Sequence, residues 1–211
     1  DLTIPAGLKE IPAYCFYGCT GLSSLKIPET IEKVCKNAFS DCTGIKELTM
    51  PVDLDYVKTY SLGSYADCAS FKKCENIGKI TYTKGKTGIM PDIEDDSASY
   101  YTAEYYAGKN LTTVEFEEGV KNIGAGAYRL YKNSASSSYD YGMPKLKNIK
   151  LASTIKKIGD DAFYKDKAIT EFDFTNIEEL GESSFSGCSG LSDLTIPAGL
   201  KEIPAYCFYG W

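Results

Sequence analysis

One apolar pattern recurs so regularly along these 211 residues that any fold must repeat with it. Its head reads Leu-x-x-Leu-x-Ile. It appears as Leu22, Leu25 and Ile27; Ile45, Leu48 and Met50; Ile77, Ile80 and Tyr82; Leu111, Val114 and Phe116. It continues as Leu146, Ile149 and Leu151; Ile169, Phe172 and Phe174; Leu191, Leu194 and Ile196. The starts at 22, 45, 77, 111, 146, 169 and 191 lie 23, 32, 34, 35, 23 and 22 residues apart. The bare unit is therefore 22 or 23 residues, and the units starting at 45, 77 and 111 carry insertions of about ten residues. Residues 1–18, DLTIPAGLKEIPAYCFYG, return letter for letter as residues 193–210. They enter the pattern partway, at Leu2-x-Ile4-Pro5.

A second mark precedes the next head by six residues: a small residue and an aromatic. Examples are Cys15-Phe16, Ala38-Phe39, Ser70-Phe71, Ala162-Phe163 and Ser184-Phe185. A cysteine follows three residues after the aromatic at Cys19, Cys42, Cys74 and Cys188. The head ends in period-two alternation, which makes it a short strand with one face inward. Proline after it cannot continue a ladder and starts a turn. A second apolar pair, such as Ile155 and Ile158, predicts a short extended or 3₁₀-like piece on the return side. Gly124, Gly159 and Gly181 then suggest a corner needing unusual backbone angles. The aromatic plugs the core beneath the next turn. One such coil cannot bury its apolar face alone, whereas stacked coils bury a continuous one. The expected fold is a β-rich repeat solenoid, a right-handed leucine-rich-repeat coil over residues 1–211. It has about eight coils, a parallel β-sheet on one face and irregular or 3₁₀ turns on the other.

These residues resemble the BspA-like leucine-rich-repeat family of bacterial and protozoan cell-surface proteins. The resemblance is carried by LTIPAGLKEIPAYCFYGCTGL at 2–22, SLKIPETIEKVCKNAFSDCTGI at 24–45 and KLKNIKLASTIKKIGDDAFYKDKAI at 145–169. It spans nearly the whole chain and departs between residues 56 and 143, where insertions break the spacing. It implies an adhesin, a host-matrix binder or a surface module. It supplies no catalytic motif and no fixed binding residues.

Composition narrows the function. A net charge of −6 argues against nucleic acid or an anionic membrane as main partner. No apolar run approaches the ~20 residues of a membrane span. Without a single histidine, the commonest general base and zinc nitrogen ligand are missing. No phosphate loop or nucleophile elbow is present. The expectation is a non-enzyme without cofactor or metal. The chain shows no signal peptide and opens on Asp1, as a mature fragment of an extracellular or cell-surface protein does.

Eight cysteines raise disulfides or metal, but no pair has C-x-x-C spacing. Cys19, Cys42, Cys74 and Cys188 share one repeat position and should form a buried ladder of small hydrophobes. Cys15 and Cys207 take the small slot before the aromatic, which also predicts an inward position. Cys35 and Cys68 lie off the ladder, where a disulfide stays open. Asp92, Glu94, Asp95 and Asp96 lack the order of a calcium loop and read as solvated. The sequon at Asn110 sits at a repeat junction and carries little weight.

The tyrosines of the insertions are the candidate binding residues: Tyr100, Tyr101 and Tyr106 in SYYTAEYY, Tyr139 and Tyr141 in SASSSYDYG. Tyr beside Ser, Gly and Asp makes an adaptable recognition surface. The alternative is that the loops bury their own rings against the coil. Tyr105 falls at the aromatic slot, six before Leu111, and is expected inward. The reading is a binding or adhesion module for a protein of the host matrix or a cell surface. A carbohydrate-binding module and a structural spacer remain alternatives. The two ends lack the polar caps of a solenoid, so self-association through them is a further expectation.

Overall fold

The computed structural model describes residues 2–55, 69–93, 103–129 and 142–211, and within these the side chain of Tyr105 lies outside the description. The heads of the repeat become strands because their alternating apolar residues can all turn one way. They are β2 (Ser24–Lys26), β4 (Glu47–Pro51), β5 (Lys79–Thr83), β6 (Thr113–Phe116) and β8 (Asn148–Lys150). They form a five-stranded parallel sheet in the order β2-β4-β5-β6-β8. Its register sets Leu25, Leu48, Ile80, Val114 and Ile149 side by side, the second leucine position of every head.

The return side resolves in favour of the extended alternative. It carries the two-residue strands β1 (Glu10–Ile11), β3 (Lys33–Val34), β7 (Asn122–Ile123), β9 (Lys157–Ile158) and β10 (Glu179–Leu180). β1 pairs with β3 and β7-β9-β10 form a second parallel set. Among the described residues the one helix is α1 (Ala103–Ala107), beside the second insertion. A single apolar cluster runs through the coils from Ile4 to Cys207.

The aromatic plugs stack along that core. Phe16, Phe39 and Phe71 follow one another at 5.2 and 5.6 Å between ring centroids. Tyr128, Phe163, Phe185 and Phe208 follow at 5.1, 5.2 and 5.9 Å. The backbone repeats with them: the Phe39 amide donates to the Ser70 carbonyl and that of Phe163 to Ser184, both at 2.9 Å. Burying each ring contributes about 2 kcal/mol from area alone.

The corner glycines do another job than the sequence suggests. None of Gly124, Gly159 and Gly181 has a positive φ. A Cβ on Gly181 would lie 2.2 Å from the Asp160 backbone nitrogen, and one on Gly124 2.2 Å from the Pro91 carbonyl oxygen. These residues are small so that successive coils can touch. The left-handed angles fall on the residue before the small slot, at Asn37 (φ 55°), Asp161 (53°) and Ser183 (55°). They recur two residues after the aromatic, at Asp41 (61°), Lys165 (61°) and Gly187 (75°).

The strand row stops at β8, although heads continue at 169 and 191. Residues 169–175 and 191–197 contain no strand. In the first of them Phe172 and Phe174 take the inward slots, 4.7 Å apart, with Phe172 also 5.4 Å from Phe163 and 4.8 Å from Phe185. At the two ends of the array Leu8, Tyr14 and Tyr17, and Ile203, Tyr206 and Tyr209, are exposed.

Candidate functional site

The outward residues of the sheet form rows across it. One row reads Lys26, Thr49, Thr81, Glu115, Lys150, matched strand to strand by the register. Glu115 bridges three coils: its carboxylate accepts from Lys79 Nζ at 2.8 Å and from Lys150 Nζ at 2.6 Å. Those two hydrogen bonds, Lys150 first, hold its carboxyl below the usual carboxylate range. Exposed pairs of this kind are individually weak. Their effect here is to fix the side chains of a polar stripe.

Two openings of about 640 Å³ each lie on the strand face. The first crosses β5, β6 and β8 to residues 171–173, with Lys79, Glu115, Lys147, Lys150, Glu171, Phe172 and Asp173 among its lining. The second lies between residues 170–175 and 193–198 and is lined by Phe172, Phe174, Ile196 and Asp193 among others. Burial records the same change. Leu25, Leu48, Ile80 and Val114 are at most 2% exposed. Their equivalents Ile149, Phe172 and Leu194 are half-buried. Asp173 is fixed on the rim by the Thr175 amide, which donates to it at 2.9 Å. Thr175, through its side chain and amide, lowers the Asp173 pKa.

Of the insertion tyrosines, Tyr100, Tyr101, Tyr139 and Tyr141 lie outside the described residues. Tyr106 is on α1, half-buried and packed against the core. The helix is anchored from beneath, where the Tyr82 hydroxyl donates to buried Glu104. The strand face was missed in the sequence because its residues are ordinary Lys, Thr, Glu and Asn at outward positions. The pattern of the head could have found it, since every x of Leu-x-x-Leu-x-Ile beside the second leucine lands there.

The cysteine ladder is found at three of its four expected rungs, while Cys19 in the first coil is only half-buried. Cys42, Cys74 and Cys188 are buried, and each thiol donates to the carbonyl of the aromatic one coil back: Phe16 at 3.1 Å, Phe39 at 3.1 Å and Phe163 at 2.9 Å. Burial pushes the Cys74 thiol up to about 12 and raises those of Cys42 and Cys188. Cys207 is buried, against Ser184 at 3.2 Å. Cys15 is exposed, contrary to expectation, because the side chain in this slot leans on the preceding coil and no described residue lies there. Cys35 is free and donates to Glu10 at 3.1 Å, while Cys68 lies outside the described residues.

One ladder position departs. Asp166 follows Phe163 by three residues and stands where the others have cysteine. It is fully buried, accepts the Met143 amide on Oδ1 and leaves Oδ2 without a partner. Burial holds its carboxyl well above the usual carboxylate range.

Asp92 accepts from the Ala125 amide at 2.7 Å, and the acids after it lie outside the described residues. Among the described residues no three Cys, Asp or Glu converge on one point. The Asn110 amide joins neighbouring coils, donating to the Glu75 carbonyl at 2.8 Å and accepting from Lys145 at 3.0 Å. Among the described residues no helix is long and apolar enough to cross a membrane.

The family description that matches the chain is the BspA type leucine rich repeat region, in six copies over residues 1–129 and 99–211. Among curated proteins none matches. Solved structures with a similar path include a leucine rich cell surface protein from Faecalibacterium prausnitzii, 20% identical, TM-score 0.45, covering 93% of this chain and 44% of that one. Another is the T. pallidum leucine rich repeat protein, 21% identical, TM-score 0.47, covering 87% and 72%. A third is the pneumococcal vaccine antigen PcpA, 16% identical, TM-score 0.42, covering 96% and 71%. The chain thus spans less than half of the solved F. prausnitzii chain.

Proposed function

The chain belongs to the BspA-type leucine-rich-repeat family, and from that premise we propose that it is a non-enzymatic binding module, displayed outside the cell, that recognises a protein partner. We read residues 1–211 as one domain of about eight coils. The observation that carries the proposal is the strand face. It offers a fixed polar stripe across five strands and, at its end, two openings with aromatic floors and charged rims. Concave surfaces of this kind are what stacked repeats provide for partners. Apolar ground with a few placed polar groups is the usual make-up of a recognition surface. Tyr100, Tyr101, Tyr106, Tyr139 and Tyr141 would extend that surface from the insertions.

The test presents the immobilised chain to purified extracellular-matrix proteins and, in parallel, to a glycan array. The expected result is saturable binding to a protein, weakened by E171K/D173K on the strand face and by Y101A or Y139A in the insertions. A blank protein panel, or binding confined to glycans, overturns the proposal.

A further inference from the structure

Four side chains placed three residues after an aromatic plug do one thing. Each donates to the carbonyl of the aromatic one coil back: Cys42 to Phe16 at 3.1 Å, Cys74 to Phe39 at 3.1 Å, Cys188 to Phe163 at 2.9 Å and Trp211 Nε1 to Phe185 at 3.4 Å. The three thiols also accept, from the amide at the same position one coil back: Cys42 from Cys19, Cys74 from Cys42 and Cys188 from Asp166. Asp166 stands three residues after Phe163, and the Phe163 ring is stacked 5.1 Å from that of Tyr128. Its Oδ1 makes the accepting half of the pattern, with the Met143 amide. Met143 is the equivalent residue one coil back, three before Leu146 as Cys42 is three before Ile45. The approach is close: a Cβ on Gly142 would lie 2.3 Å from Asp166 Oδ1.

The donating half is missing. Asp166 Oδ2 is buried without a partner. The pattern assigns to it the carbonyl of fully buried Tyr128, which receives no hydrogen bond among the described residues. A thiol both donates and accepts, whereas a carboxylate only accepts. A carboxylate set against a carbonyl oxygen in a dry core is repelled and poorly solvated. A carboxylic acid does both jobs of the thiol. We infer that Asp166 is a proton-operated latch: as the neutral acid it donates from Oδ2 to the Tyr128 carbonyl and completes the ladder, and on losing that proton it lets the segments entering the heads at Leu146 and Ile169 part. Those heads supply residues 147–150 and 171–173 to the lining of the first opening.

Among the described residues no cation holds the carboxyl in its ionised form. Burial pushes its pKa up, and only the Met143 amide opposes that. From the coil before, the field of Asp166 meets the uncharged Tyr128 hydroxyl; Glu104, which also acts on Tyr128, is a second acid and is bound by Tyr82. Arg129 of that coil is paired with Asp161. From the coil after, the group that meets it is the Cys188 thiol. On its own coil Lys165 Nζ lies 4.9 Å from the centroid of the Tyr164 ring, and Lys167 is exposed. The latch is therefore closed at low pH and opens as pH rises through the folded pKa.

The test follows the parent chain and two variants, D166N and D166C, which keep a donor and an acceptor without a carboxyl. Infrared spectra of the folded chain carrying isotope-labelled aspartate at pH 6 should show the carbonyl band of a protonated carboxyl, removed both by urea and by D166N. Amide exchange at Gly126, Tyr128 and Met143, which all donate to the coil of Asp166, is then compared with that at Phe39 and Asp41, which donate across a thiol rung. Above the folded pKa the first group should gain on the second by about tenfold per pH unit, since opening releases one proton. D166N and D166C should hold the ratio constant. A folded parent without the protonated band, a ratio that stays flat in the parent, or one that climbs equally in a folded variant overturns the latch. The band and the parent's ratio need no variant, so a substitution that fails to fold leaves both decisive. The latch needs no ligand, so it stands or falls apart from the proposed binding.

Discussion

At the scale of single residues, the corners of the coils separate two reasons for a small side chain. Gly181 is needed for approach, because a methyl group there would meet the Asp160 backbone. Gly181→Ala should therefore cost about 1–3 kcal/mol, the usual range for overpacking, as measured by urea unfolding. Two residues later Ser183 holds φ at 55°, an angle that strains any side chain. Ser183→Gly should be stabilising by up to about 1 kcal/mol. Opposite signs at neighbouring positions distinguish contact from conformation, and equal signs would refute the distinction. Asp166 gives a pH dependence. Its folded pKa is raised by burial, so above the usual carboxylate range the native state holds a proton that the unfolded chain releases. Stability contributed here is greatest below that range and falls as pH rises through the folded pKa. Asp166→Asn keeps an acceptor for the Met143 amide and cannot ionise. Melting curves from pH 4 to 8 should show a decline in the parent that the variant lacks. Identical slopes would place the ionised group in contact with water. Some of this is legible in sequence: Asn37 and Asp41 are of the type that accepts left-handed angles. Ser183 and Lys165 give no such hint, because their angles are imposed by the stacking of the coil rather than by local preference.

At the scale of the element, the ladders do what a continuous core does elsewhere. The cysteine rung is the clearest case, since thiols placed inward donate to carbonyls one coil back. A thiol reagent applied to the native chain should modify exposed Cys15 quickly and reach Cys42, Cys74, Cys188 and Cys207 only when denaturant is added. Rapid modification of all of them in the native state would show that the coils are not closed. Strand identity could be read from alternation alone, and the register of all five paired heads follows it. Pairing could not. The heads at 146 and 169 fit the same pattern, yet the second forms no strand, and its Phe172 and Phe174 pack against Phe163 and Phe185. Contacts between separate segments of this kind are invisible to any local rule.

At the scale of the whole molecule, a solenoid whose coils touch only their neighbours can be closed on one side and open on the other. The return-side strands β9 and β10 continue into the coil starting at 169, whose head forms no strand. This asymmetry was not legible in the sequence, because the repeat is equally regular on both sides, whereas the insertions showed there as breaks in the spacing. Native-state hydrogen exchange of the unliganded chain tests the opening most directly. Amides at residues 170–174 should exchange as fast as exposed loops, while those of β5 and β6, and of residues 178–180 and 163–165 on the return side of the same coils, stay protected. Protection at 170–174 equal to that of β6 would mean that the sheet runs unbroken past β8.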